Sequence, residues 1–473
     1  MNTETYKERP LGLLEKYQLS KHLTNAYGNI TLTLYLEHAP IQADQEELFY
    51  RQSFYPVLTQ LIKRHPNLSI IVRDKLQKTA HFVQLSTIDL SKIVKVVNSS
   101  DSLTDLIRQE TSLEFNLDDM LPLWRLTIVP QTLTGCNVIF TAHHIIADGM
   151  SLTIFWNECL KALNENTLSS ITTTTTIDTI IKVQQHAIAP PYELSGAPTL
   201  SLVWDVVPVL CKNFLPKMLP SPLAHWIDPL VDGTSWSGDF AAVEGEGHKT
   251  KIQLISVPPT VWKPILDKAK EEQGVSGHAI LFICLLIAWA KLYPNEKTEA
   301  STPINCRGLC NPPVPNSQIG NFVGGYTTIW TSKQLLTQSP WKLAKEYSQG
   351  LCQNKVNAAK QALFLSYLPQ FPESFCDFWY DKRKYTNLGR SGGVEVSDLG
   401  RFIMNTHEEE DGWKLKDIYF CQSAQIFTNA LTFNTVSANN GLSCTLSWQK
   451  GSLDETKLDQ FQNVFLDILN KLK

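Results

Sequence analysis

The apolar positions of this chain change period several times along its length. "NITLTLYLEH" (Asn29 to His38) alternates apolar and polar residues and predicts a half-buried strand. "ADQEELFYRQSFYPVLTQLIKRHP" (Ala43 to Pro66) carries a helical period, opens with Asp44 near its start and stops at Pro66. Pro56 lies inside it, where it is placed to kink or split the helix. "LPLWRLTIVP" and "NVIFTAHH" predict two further strands. After Gly149, the residues Leu152, Phe155, Trp156, Cys159, Leu160 and Leu163 fall at helical spacing. The second half opens with a strand, "TKIQLISV", followed by a helix, "PPTVWKPILDKAKEEQG". Ser276 to Tyr293 then form a helix with too few polar positions to lie on a surface. Mixed strands and helices predict α/β layers.

Breaks in this pattern mark the organisation. The threonine tract from Leu168 to Asp178 predicts a surface loop. From His186 to about His248 the chain is rich in Pro and Gly and predicts a connection. The expected division is therefore 1–185, a crossover over 186–247, and 248–473. Within the crossover, Thr199 to Leu230 is apolar, with Trp204 and Trp226, and its prolines exclude a spanning helix. A buried crossover is the preferred reading there, with an interfacial membrane contact as the other.

The chain has 473 residues, which suits two domains of ordinary size better than one core. A net charge of −4 and no clustered Lys/Arg stretch argue against a nucleic-acid partner. The polar segment Met1 to Pro10 lacks the apolar core of a secretory signal, so a cytoplasmic location is expected. Ten cysteines without a CxxC pair read as free thiols, not as a disulfide framework or a metal site.

Two places combine His and Asp four residues apart with a following Gly: His144 to Asp148, and His407 to Asp411. About half such a match is expected by chance, so setting must separate them. His407 to Asp411 encloses three glutamates between strand-like runs, which predicts a solvated hairpin tip and no catalysis. His143 and His144 instead end an apolar strand, with a tight turn and a helix after them. That layout puts an imidazole at a layer boundary, where pockets form. On context alone, satisfied core histidines are the commoner reading.

The words "HHIIADG" resemble the HHxxxDG signature of the acyltransferases built on the chloramphenicol-acetyltransferase fold, which include condensation domains, the plant BAHD enzymes and the fungal alcohol acetyltransferases. Other blocks fit in the same order. These are "RPLGLLEKYQLSKHLTNAYGN", "LIKRHPNLSIIV", "LPLWRLTIV", "PPYELS", "SGHAILFICLLIAWAKL", "INCRGLCNPPVPNSQIGNFVGG" and "NLGRSGGVEVSDLGRF". The likeness spans nearly the whole chain. It departs at Ser69, where the RHxxLR block has Arg, in "NCR", where plant enzymes have Asp-x-Arg, and in the missing DFGWG block, replaced by Asp398-Leu399-Gly400. These departures favour the fungal alcohol acetyltransferase branch.

The resemblance implies two chloramphenicol-acetyltransferase-like subdomains with a channel between them, and an acyl-CoA donor, most simply acetyl-CoA, with a small or lipophilic alcohol as acceptor. It implies His144 as general base in direct transfer. Asp148 is expected to pair with Arg64, and Arg307 with Asp398, both as structural support together with His143. Gly149 is expected to permit the turn, and Ser397 to offer a hydrogen bond to the developing oxyanion. "GRSGG" (Gly389 to Gly393) fits G-x-S-x-G but lacks the strand-then-helix setting of a nucleophile elbow. The expected assembly is a monomer without a resident cofactor or metal, with peripheral contact at the endoplasmic reticulum or a lipid droplet left open. Amide formation on a lipophilic amine and a non-catalytic ligand-binding relative are the alternatives.

Overall fold

Strand Gly135–His143 is buried at every position. It is interior to a sheet, antiparallel to Asn29–Glu37 on one side and to Trp124–Thr132 on the other. The computed structural model describes residues 7–26, 28–169, 178–214, 218–220, 223–224, 235–241, 248–403 and 412–473. The sheet runs in the order Lys414–Gln422, Asn29–Glu37, Gly135–His143, Trp124–Thr132, Val94–Val96. Helix Gly149–Ser169 is held on it by Phe155, which stacks on Phe140 with ring centroids 3.6 Å apart. The Trp156 indole donates to the Leu32 carbonyl at 2.9 Å, so a large buried ring also leaves no orphan donor.

A second sheet has the order Thr250–Val257, Gly441–Gln449, Asn429–Ala438, Gly392–Arg401, Lys297–Asn305, Val323–Thr331. Gly392–Arg401 is parallel to both of its neighbours. Helix Gly277–Leu292 starts at Ser276, whose hydroxyl accepts the Ala279 amide at 3.2 Å. Its residues from Ala279 to Ala290 are all buried, as its composition predicts, beneath helices Pro340–Lys360 and Glu455–Leu472. Each such Leu or Ile removed from water contributes about 1.5–3 kcal/mol before entropy is counted.

Three expectations change. Helix Glu46–Arg64 runs unbroken through Pro56, because the burial of Phe54, Val57 and Leu58 on both sides of the proline holds the chain in register. The strands before and after His407 do not form a hairpin: Gly392–Arg401 belongs to the second sheet, whereas Lys414–Gln422 pairs with Asn29–Glu37 in the first. Of the two runs beside His407, "WKLKDIYF" forms a strand whose partner lies far away in sequence, whereas "RFIMN" is strand only at Arg401 where it is described; His407 and Asp411 themselves fall outside the described residues. The apolar crossover is largely exposed where it is described, although Val206 and Ala224 are buried. Leu202, Val203 and Trp204 stand on the surface, Trp204 at 81% exposure, on a short helical run continued by Val207–Phe214. Asp205 beside them bonds Lys360 at 2.8 Å, which tethers the segment without covering its apolar residues.

Candidate active site

Strand Gly135–His143 ends in a turn that carries His144 to the wall of a chamber of about 480 Å³. Residues of both halves line it, among them Tyr17, Lys21 and Gly149 from the first and Asn321, Glu395 and Ser397 from the second. His144 is largely buried, and its Nδ1 is sealed from solvent. The Asn321 amide donates to the His144 carbonyl at 3.0 Å, so the second half also holds the turn. Burial, then the nearby Lys21 ammonium, push the imidazole down to about 4, against weaker upward effects of Asp148 and backbone hydrogen bonds. The ring is therefore a neutral acceptor at pH 7.

His143 points elsewhere, as strand alternation requires. Its Nδ1 accepts the Ile145 amide at 3.0 Å, so its Nε2 carries the proton donated to His22 Nδ1 at 3.1 Å. Burial holds it well below the ordinary histidine range. Its ring thus bonds the backbone of the turn and does not line the chamber.

Asp148 is paired with Arg307, not with Arg64. Arg307 Nη1 and Nη2 reach Asp148 Oδ2 and Oδ1 at 2.8 and 3.0 Å, and both side chains are almost wholly buried. The carboxylate also accepts the Ser151 amide at 2.8 Å, the Ser151 hydroxyl at 2.7 Å and the Phe322 amide at 3.0 Å. Burial alone would raise its pKa, but Arg307 and these donors outweigh that and hold it below the usual carboxylate range. This two-pronged bond joins the turn of the first half to the loop Arg307–Phe322 of the second. Arg64 stands at the surface end of its helix, 64% exposed, and bonds Glu158 at 2.9 Å.

Asp398 likewise has a partner other than Arg307. Its Oδ2 meets His278 Nδ1 at 3.0 Å, and its Oδ1 accepts the Thr435 hydroxyl and the Gly400 amide, both at 2.9 Å. Alternation along Gly392–Arg401 explains the difference: Glu395 and Ser397 face the chamber, while Val394, Val396 and Asp398 face the other way. Gly149 has an ordinary backbone conformation, so the turn does not require it. A Cβ there would stand 2.5 Å from Leu399 Cδ2, so the glycine keeps space beside His144. In "GRSGG", Gly392 begins a strand and no helix follows, while Arg390 is buried and donates to the Ser237 and Phe240 carbonyls at 3.0 and 2.9 Å. All ten cysteines are free thiols, and no cluster of His, Cys, Asp or Glu suited to a metal occurs among the described residues.

Sequence reasoning missed Lys21 and Glu395, which share the chamber with His144. A signal existed for the first: Leu14, Tyr17, Gln18 and Lys21 form one helical stripe, with polar residues on the face that the apolar spacing buries.

The sequence pattern of the alcohol acetyltransferase family matches residues 10–471. An uncharacterised protein of Schizosaccharomyces pombe is 23% identical, over 99% of each chain. A probable alcohol acetyltransferase of Fusarium pseudograminearum is 20% identical, over 94% of this chain and 91% of its own. Among solved structures, the trichothecene 15-O-acetyltransferase TRI3 of Fusarium sporotrichioides superposes with a TM-score of 0.71 at 11% identity, over 100% of this chain and 99% of its own. The two-lobed fold is thus chloramphenicol-acetyltransferase-like, and the molecule is an acyltransferase. The chain belongs to the alcohol acetyltransferase family.

Proposed function

We propose that this enzyme transfers an acyl group, most simply acetyl from acetyl-CoA, to the hydroxyl of a lipophilic alcohol. The observation that carries the reading is a neutral imidazole, His144, on the wall of a chamber lined by both halves. An alcohol is a poor nucleophile toward a thioester until its proton leaves as the new bond forms. In this reading His144 Nε2 takes that proton while the oxygen bonds to the thioester carbon. The C–S bond then breaks and the imidazolium returns the proton to the departing thiolate, giving ester and free CoA. A ring with a depressed pKa is a weaker base than one near 6.5, but its conjugate acid gives the proton back more readily. Ser397 serves as a donor to the oxyanion, and Asp148 with Arg307 fixes the turn.

Purified enzyme with acetyl-CoA and a panel of alcohols and amines is expected to release thiol with alcohols. Release with amines alone would favour amide formation, and release with neither would refute the reading. The acceptor's lipophilicity fits an enzyme that works beside a membrane, and no helix among the described residues is long and apolar enough to cross one. Leu202, Val203 and Trp204 supply an exposed apolar surface for peripheral contact. Replacing Val203 and Trp204 by serine should lower co-sedimentation with phosphatidylcholine vesicles several-fold; unchanged binding would remove this segment from the reading.

A further inference from the structure

Four ionisable side chains besides His144 line the chamber, and the transfer step described above uses none of them: Lys21, Lys382, Glu299 and Glu395. A chamber for plain aliphatic alcohols has no use for them, since each buried ion costs several kcal/mol of lost hydration unless it is compensated. Here the compensation is built. Glu395 Oε1 accepts from the Gln422 and Gln425 amides at 3.3 and 3.0 Å, and its Oε2 from Asn429 at 3.0 Å. The Lys21 ammonium stands over the Tyr17 and Trp379 rings, at 4.9 and 5.2 Å. Lys382 lies 4.6 Å from the Phe378 ring centroid and donates to the Ser391 hydroxyl at 3.2 Å. Gln18, on the same helix as Lys21, also lines the chamber; it is 8% exposed and its Oε1 has no hydrogen-bond partner. The remaining lining includes the apolar residues Leu14, Ile30, Phe364, Leu365 and Leu368.

We infer that this charged wall reads a second hydroxyl on the acceptor, so that the preferred substrates are neutral, lipophilic alcohols bearing a further hydroxyl away from the one acylated. The inference rests on the alcohol acyl-transfer reading and specifies its acceptor. Burial draws the Lys21 ammonium down to about 7 and that of Lys382 to about 8 and raises the Glu395 carboxyl, so the wall offers no strong excess of one sign to hold a carboxylate or an ammonium group. A hydroxyl can donate to Glu395 or Gln18 and accept from Lys21 at once. A monohydric alcohol would displace water from these groups and give nothing back, which is how polar sites reject analogues that lack one hydroxyl.

The test is calorimetric binding of octan-1-ol and of the 1,2-, 1,4- and 1,8-octanediols to the intact protein without acyl donor. At least one diol is expected to bind about tenfold or more tightly than octanol, the scale of a hydrogen bond to a charged group. In the double variant Lys21→Met/Glu395→Gln, which removes both charges together, that gap should fall to within about threefold. Gln18→Met changes no charge and should narrow the gap too, which keeps the test decisive if the double variant fails to fold. Equal affinities in the unaltered protein, or a full gap in the folded variants, would overturn the inference. Diol preference without thiol release from acetyl-CoA would instead overturn the transfer reading and leave the selectivity of the wall standing.

Discussion

Alanine at position 144 should slow thiol release from acetyl-CoA by at least about a hundredfold, the lower end of what a positioned general base supplies. His407→Ala should leave the rate unchanged, although it carries the same His-to-Asp spacing. An equal loss in both variants would take His144 out of the role. The pH profile gives a sharper check. Burial and Lys21 hold the imidazole at about 4, so the base form persists on the acid side well past the ordinary histidine value. The rate should hold from pH 7 down to about pH 5 and fall as the ring protonates below that. Lys21→Met removes the cation that opposes protonation, so it should move this acid limb to higher pH. The sign for stability is the same in direction. A histidine that is neutral when folded and titrates near 6.5 when unfolded makes the folded state bind fewer protons, so stability is lost as pH falls from about 6.5 toward 4. Initial rates at low pH should therefore be taken before unfolding intervenes. A limb near 6.5 in the unaltered enzyme would mean that the ring is not held buried in solution.

Much of the fold was legible because it is written in local periods. Asn29 to His38, the runs ending at Pro130 and His144, and Ser276 to Tyr293 all end within two residues of where their patterns end. What local pattern cannot hold is partner choice across hundreds of residues. "WKLKDIYF" reads as a strand, yet nothing in it says that it crosses to pair with Asn29–Glu37. The same limit governs the ion pairs. The likeness points to Arg64 for Asp148 and to Arg307 for Asp398, and burial redirects both: Arg64 ends a surface helix, whereas Arg307 begins a loop packed under the turn. Family likeness drew attention to the turn at His144 but not to Glu395, because a glutamate in "GGVEVSDLG" is ordinary in a strand with one wet face. That the wet face is a chamber becomes visible only when both sheets are assembled.

Arg307→Met should destabilise the protein by about 3–5 kcal/mol, the largest stability effect expected of a single substitution here. The reason is what stays behind: an Asp148 carboxylate in a dry site, still tied to Ser151 and Phe322 but without its cation. Asp148→Asn should cost a comparable amount by stranding Arg307, whose other partners, among them the Gln318 carbonyl at 3.1 Å, are neutral. The double variant Arg307→Met/Asp148→Asn removes both charges, so its loss should be clearly smaller than the sum of the two single losses, by about 1 kcal/mol or more. Urea midpoints of the four proteins measure this, and simple additivity would show that the pair contributes no coupling. The pH dependence separates the electrostatic cause from lost packing. In the unaltered protein Asp148 is held below the usual carboxylate range, so its contribution is present at neutral pH and is lost as pH falls through its folded value. In Arg307→Met the unpaired carboxylate can be neutralised by taking up a proton, so the deficit relative to the unaltered protein should shrink as the pH is lowered. A deficit that stays constant with pH would point to the space left by the guanidinium over the Phe322 ring, 4.8 Å from its centroid, and not to charge. Because this bond ties the turn that carries His144 to the opposite half, a folded Arg307→Met enzyme should also lose activity, and that loss should show in kcat more than in KM.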